Sequence, residues 1–404
     1  MKDPDTMVQA GASTESSMQN TPVGDEAHRR REAARRLKEW AMQGALVLAL
    51  LFFVWMIAGN VGDNLAARNI RSGFGFLNGS AGFDIGESLI TFSSSDTVLR
   101  AFAAGVLNTL RVAAFAIISA TILGVVVGLM RLARHPIIRG LGTAHVEVYR
   151  NIPLIIQLLA LYLLITELLP MSTDALQLGS WALLSKAGLQ IAIPQSAGLA
   201  LLASGIVFAL TALLVRERYR RRVTDLVATL SGFWIGIVAA LVVWILFGAV
   251  GAWSKPQIEG FAIEGGASLS PEFLALWLGL TLFTSASIAE IVRAGVLAVS
   301  VNQWHAGLAL GMNKVQTVSY VVFPQSMRLA IPPLASQYMN LTKNSSLAVV
   351  IGYPDFVAVG NASINVTGQA IEIICVVMAV YLVLNLIIAL AMNALNARVL
   401  RAPR

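Results

Sequence analysis

The sequence predicts an all-α, polytopic bundle of about eight transmembrane helices. Three observations carry that expectation. Hydrophobic residues make up 56% of the 404 positions and charged residues only 13%, against about 25% charged in an average soluble domain. Apolar segments of about 20 residues recur along the chain, the length a helix needs to cross a hydrocarbon core of roughly 30 Å while satisfying its own backbone. Lys and Arg fall in short clusters between those segments. The net charge of +7 therefore reads as a topology signal, and no recognition motif accompanies it that would point to nucleic acid.

Residues 1–41 form a predicted disordered, basic cytoplasmic N-terminus, because 1–28 hold too few large apolar side chains to offset ordering entropy and Arg29–Lys38 is a charge cluster. The first apolar run lacks a prompt small-residue cleavage pattern and reads as a retained span. The spans fall at approximately 42–60, 104–130, 149–169, 198–215, 227–250, 272–292, 328–348 and 371–395. The seventh carries Gln337, Asn340, Lys343 and Asn344. With the N-terminus inside, every inner segment is basic: Arg29–Lys38, the stretch from Arg131 to Arg150, Arg216–Arg222, Arg293–Arg328, and the tail with Arg398, Arg401 and Arg404. Outer segments hold only Arg68, Arg71, Arg100, Lys186 and Lys255, so both termini are expected in the cytoplasm. Gly124 and Gly128 form a Gly-x-x-x-Gly pair that would admit a close neighbouring helix, though glycine is also simply common in membrane helices.

Enzyme chemistry finds no support. Cys375 is the only cysteine, and His28, His135, His145 and His305 lack ligand spacing, so neither a disulfide nor a metal site is expected. No phosphate-binding Gly-x-x-x-x-Gly-Lys-Ser/Thr occurs, and no nucleophile is paired with His or Asp. The expectation is a transporter without a cofactor. A secondary transporter driven by an ion gradient is the alternative, with Glu290 as its candidate carboxylate, although no internal repeat is evident.

The stretch from Val301 to Pro324 is too apolar for a solvated loop. Helix formers from Trp304 to Leu310 precede Gly311, suited to a left-handed terminal turn, and a second helical stretch from Lys314 is expected to end near Pro324. Trp304, Leu308, Leu310 and Met312 would face the cytosol, which marks a partner site.

These residues resemble the Glu-Ala-Ala loop of ATP-binding-cassette (ABC) importer permeases: Glu-Ala-Ala, three residues, Gly, nine residues, Ile, one residue, Leu-Pro. His305-Ala306-Gly307, Gly311, Val321, Phe323 and Pro324 keep the spacing, with His305 in place of Glu and Gly307 in place of the second Ala. The segment Val146–Leu158, with Tyr149-Arg150, Pro153-Leu154 and Gln157, is similar to the second core helix of the polar amino-acid group. Ile331-Pro332-Pro333-Leu334 and Lys343-Asn344-Ser345-Ser346-Leu347 resemble that group's Pro-Pro-Leu and Lys-Asp-Thr-Ser-Leu segments. The resemblance implies a five-helix permease core in two parts, 98–169 and 271–397, with an extra N-terminal span at 42–60 and a two-span insertion at 170–270. This layout looks like the Q-type membrane subunit of general L-amino-acid importers.

What the resemblance implies is an inner-membrane amino-acid permease. Loop 301–324, with Gln303, Trp304, His305, Ala306, Gly307, Leu308, Gly311, Phe323 and Pro324, would couple it to ATPases on other chains. A second permease, two ATPase subunits that use the ATP, and a periplasmic amino-acid-binding protein would complete the assembly. His305 suggests that the two permeases grip their ATPases unequally.

An ionised side chain near a membrane-helix centre costs roughly 2.5–3.5 kcal/mol and usually faces protein or a water-filled cavity. Lys343 therefore marks a candidate translocation path together with Asn340, Asn344, Ser345, Ser346 and Gln157. Asn340, Lys343 and Asn344 share a helix face. The alternative places Lys343 near the outer end, paired with a carboxylate or a carbonyl. Gln157 would contact substrate or bond a neighbouring helix, Arg111 would reach the outer interface, and Arg150 and Glu147 would anchor the inner end.

Overall fold

The computed structural model describes residues 22–67, 73–220 and 225–400. It divides into two units, 1–72 and 73–404. In the first, α1 (Pro22–Ala67) is one helix whose Lys38–Ile57 stretch is long and apolar enough to cross a membrane. This corrects the expectation of disorder for 22–41, while 1–21 lie outside the described residues. Segment 26–39 is dense in Ala, Glu, Arg and Lys, good helix formers, and Arg35 pairs with Glu39 one turn on at 3.1 Å.

The second unit is built on α2 (Val98–Met130) and α7 (Pro271–Leu297), which run parallel. Thr97 caps the first by accepting from the Arg100 N–H, and Ser270 caps the second by accepting from the Phe273 N–H. Along the crossing, Ser119 meets Thr281 at 2.7 Å. A Cβ on Gly124 would lie 2.6 Å from Ile288, and one on Gly128 would lie 2.9 Å from the Ala289 carbonyl. The glycine pair is thus required by packing, and Val112, Ala116 and Ala120 of α2 join Leu276, Leu280 and Ile288 of α7 in the main core. Gly124→Leu should destabilise the bundle by about 1–3 kcal/mol or more through overpacking. An unchanged melting temperature in detergent would show that the two helices part without cost.

The expected span at 149–169 is broken. Helix α3 (Pro136–Asn151) meets α4 (Leu154–Leu163, continued by a π turn to Leu168) at 102°. Pro153 supplies no N–H and forces Ile152 into an extended conformation (φ −93°, ψ 127°), which ends α3.

Helices α5 (Ala197–Arg220) and α6 (Asp225–Gly251) form a hairpin of two further spans. They approach so closely that a Cβ on Gly232 would lie 2.5 Å from the Ala212 carbonyl. Eight short strands surround the hairpin's base: β1 (Leu176–Leu178), β2 (Ala182–Ser185), β3 (Gly188–Ile191), β4 (Ile193–Pro194), β5 (Trp253–Ser254), β6 (Gln257–Glu259), β7 (Ala262–Glu264) and β8 (Ala267–Leu269). They pair antiparallel in the orders β1-β2-β3-β8, β4-β5 and β6-β7. An all-helical expectation missed them because runs of two to four residues carry no readable period.

The remaining elements are α8 (Val301–Ala309), α9 (Lys314–Thr317), α10 (Phe323–Asn344), α11 (Phe356–Thr367) and α12 (Ala370–Leu400). The predicted seventh span lies in α10, which a 3₁₀ segment prolongs to Ile351 before a 52° bend into α11. Helix α11 rides beyond the Pro271 end of α7, against the first turns of α2: Gly105 abuts Phe356 and Val359. There Ala81, Val98, Phe102, Phe356, Val359 and Ile373 form a second core. Helix α2 therefore starts earlier than its predicted span at 104–130. Among the described residues six helices are long and apolar enough to cross a membrane, and the two bent pairs raise that to eight.

Candidate functional site

Three features stand out: a two-helix element at the Leu297 end of α7, a polar stripe on α10, and ionic clusters at the two ends of the bundle.

Ser300 caps α8 by accepting from the Asn302 N–H. The helix ends in a Schellman turn: Gly311 is left-handed (φ +79°), Gly311 N–H donates to the Leu308 carbonyl at 3.0 Å, and Met312 N–H donates to the Gly307 carbonyl at 3.1 Å. Asn313 and Gln316 then cap α9 reciprocally, each side chain accepting from the other's backbone N–H at 2.9 Å. The second stretch does not end near Pro324 as expected. A π turn over Val318–Val322, in which Phe323 N–H donates to the Val318 carbonyl, leads into α10 with Pro324 in its first turn, where a missing N–H is tolerated.

Gly307 is buried against α9, and a Cβ there would lie 2.7 Å from Thr317 Cγ2. That contact gives the glycine its physical reason. Gly307→Ala should destabilise the element by about 1–3 kcal/mol, and adding Thr317→Ala should recover most of it; a melting series over the four variants checks the coupling. Trp304 and Phe323 come together with Leu129, Leu132 and Val296 around an apolar cavity of about 470 Å³, and Gln303 accepts from Gln325 at 3.3 Å. His305, Ala306, Leu308 and Leu310 are exposed, the last two at 48% and 77%.

On α10, Leu329, Pro333, Ser336, Asn340 and Lys343 are all exposed. Their steps of three and four residues make one continuous stripe. Tyr338 meets Thr121 at 2.9 Å, level with the Ser119–Thr281 contact in the middle of α7. Lys343 is five residues further, about 7 Å toward the Pro271 end. It lies inside the length of α7 but off its centre, and makes no ion pair among the described residues. Asn344 and Ser346 are half-buried, Ser346 donating to the Lys343 carbonyl at 2.7 Å. Ser345 is fully buried, donates to the Thr342 carbonyl, and does not reach the stripe.

Gln157 is also buried, with both amide hydrogens committed: it donates to the carbonyls of Tyr149 (2.9 Å) and Ile152 (2.8 Å). Through that amide group it staples the α3–α4 bend, satisfying carbonyls beside Pro153.

At the Leu297 end, Glu290 draws in Arg131 (2.7 Å), Arg150 (3.2 Å) and Arg293 (4.0 Å). At the Pro271 end, Glu87 pairs with Arg111 and accepts from Ser270, while Arg111 stacks 4.2 Å above Phe273. Asn108 donates to the Glu87 and Pro354 carbonyls (2.7 and 2.9 Å), and the buried Asp355 caps α11 and accepts from Tyr381 at 3.1 Å. Arg111 is therefore tied to a carboxylate rather than merely reaching an interface.

Comparison with known proteins places this arrangement. The general L-amino acid transport system permease AapQ of Rhizobium johnstonii is 41% identical over 358 residues, covering 87% of this chain and 90% of that protein. The chain is a permease of the ABC transporter family. The putative amino-acid ABC transporter permease YhdX of Escherichia coli is 40% identical over 90% of this chain and 94% of its own. BztB of Rhodobacter capsulatus, a glutamate/glutamine/aspartate/asparagine transport permease, is 34% identical over 87% and 91%. Residues 203–401 match the family described as binding-protein-dependent transport system inner membrane component.

As an ABC permease the chain is a multi-pass membrane protein and a transport subunit, not an enzyme. The ion-gradient alternative finds no support among these relatives, which are transport-system and ABC transporter permeases, and Glu290 pairs with Arg131 and Arg150. The network at the Pro271 end escaped sequence reading. Glu87 sits in an irregular segment without a motif, whereas Asp355, one residue before an apolar helical run and just after Pro354, carried a readable N-cap signal.

Proposed function

We propose that this permease forms one half of the pore of an amino-acid importer in the inner membrane, with both termini in the cytoplasm. The α10 stripe carries the reading. An exposed row ending in a lysine inside the bundle's length is unsuited to lipid, and suits an aqueous path walled on its far side by a second permease. Asn340, Lys343, Asn344 and Ser346 would meet the charged groups of the amino acid.

Two ATPase subunits would dock under α8 and α9 through Gln303, Trp304, His305, Ala306, Gly307, Leu308, Gly311, Phe323 and Pro324, using ATP to shift the pair between inward- and outward-open states. A periplasmic binding protein would deliver the substrate. His305, where the family loop has Glu, fits a heterodimer whose halves hold their ATPases unequally. The cargo follows from the relatives' names, and the basic segments between spans support the orientation.

Reconstitution of the assembled transporter tests this. Uptake of amino acid into proteoliposomes should require ATP and the binding protein and should persist when a protonophore and sodium-free buffer remove ion gradients. Uptake by the purified chain alone, or uptake without ATP, would refute it.

A further inference from the structure

Between α7 and α10 an open cavity of about 600 Å³ lies on the surface of the single chain beside the Glu290 cluster. One wall is apolar, from Ile291, Ala294, Ala298, Leu329 and Pro333, and the other presents Arg150 and Glu290. The charges are unevenly satisfied. Glu290 receives both close guanidiniums on Oε1, while the ion pair on Oε2 among the described residues is the long one to Arg293 at 4.0 Å. Arg150 is half exposed and binds Glu290 through Nη1 alone.

A simple anion would leave Oε2 unused, and a simple cation would face three guanidiniums against one carboxylate. A molecule carrying both charges next to an apolar group suits all three surfaces. We propose that this cavity binds an α-amino acid as its zwitterion, the carboxylate on the Arg150 fork, the ammonium on Glu290 Oε2, and the side chain against the α7–α10 wall. The site is the inner station of the translocation path and rests on that reading. Pro333 belongs both to the cavity and to the α10 stripe, ten residues and about 15 Å from Lys343. Cargo passing Lys343 reaches it last, and amino acid accumulated inside binds back to it and slows further import.

The test uses the assembled transporter in nanodiscs without binding protein, titrated calorimetrically with L-leucine, N-acetyl-L-leucine and L-leucine methyl ester. Leucine should bind, and the analogues lacking the ammonium or the carboxylate should bind at least about tenfold more weakly, the loss of one charge-assisted contact. Arg150→Gln and the cavity-filling Ala294→Leu should remove the leucine heat, whereas Leu382→Ala, on the exposed surface of α12, should keep it. In proteoliposomes, preloading with leucine should slow wild-type uptake about fivefold, the low end of coupling between sites, and the loaded-to-empty ratio should approach one in both cavity variants. No leucine heat in the wild type, equal binding of the analogues, or heat that survives both Arg150→Gln and Ala294→Leu would overturn the proposal. Failure of the transport reading looks different: leucine heat intact, with no ATP-driven uptake.

Discussion

Replacing Lys343 with Met should cut ATP-driven uptake about tenfold to hundredfold while leaving the fold as stable as before or more so. The two halves of that expectation have separate causes. Lys343 is exposed on the α10 stripe and makes no ion pair among the described residues, so Met removes a charge that the membrane disfavours and breaks no internal bond. If the side chain meets the substrate's charge, the missing charge-assisted contact is worth about 1.5–3 kcal/mol, which sets the size of the loss. Initial uptake rates and melting temperature, measured on the same preparation, check both halves. A variant that transports at the wild-type rate would leave Lys343 without a role in the path; one that both melts lower and transports poorly would make the role structural.

The second large effect is expected at the two-helix element. Leu308→Asp combined with Leu310→Asp should abolish copurification of the ATPase and leave the melting temperature of the isolated chain unchanged. Both leucines are already largely exposed in the single chain, so the bundle loses little. A docked partner would lose burial of about 1.5–3 kcal/mol at each position and would gain two desolvated charges, enough to weaken binding more than a hundredfold. Stoichiometric ATPase on the double variant would move the docking surface elsewhere.

What the sequence made readable, and what it hid, follow from the range of the interactions involved. Gly311 announced its turn because only a residue without Cβ accepts φ +79° easily, and the capping pair Asn313–Gln316 lies within four residues. The spans were readable because lipid imposes a length. The α3–α4 break was missed although Pro153 was in view, since apolar residues continue on both sides of it and hydropathy does not register direction. The role of Gln157 depended on that break. Glu87 and Arg111 are 24 positions apart and Glu290 and Arg150 are 140 apart; nothing local signals such pairs. The early start of α2 reflects a second core outside the span lengths, which a search for about 20 apolar residues cannot see. The continuation through Pro324 reversed a local rule because the π turn moves the proline into a position equivalent to a helix start.

The strand pairing at the base of the α5–α6 hairpin has a consequence for the architecture of the chain. Leu189 faces Leu269 and Ile191 faces Ala267 across β3 and β8, so the chain leaves the core and re-enters it about one strand spacing apart, roughly 5 Å. Everything between is a loop on a closed clasp. A two-residue Asn-Gly turn joining Ile191 to Ala267 would satisfy the hairpin geometry, excise both spans together, and leave the direction of α7 through the bilayer unchanged. Removing the hairpin would forfeit the Trp253–Trp181 ring contact and leave the clasp and the start of α7 in place.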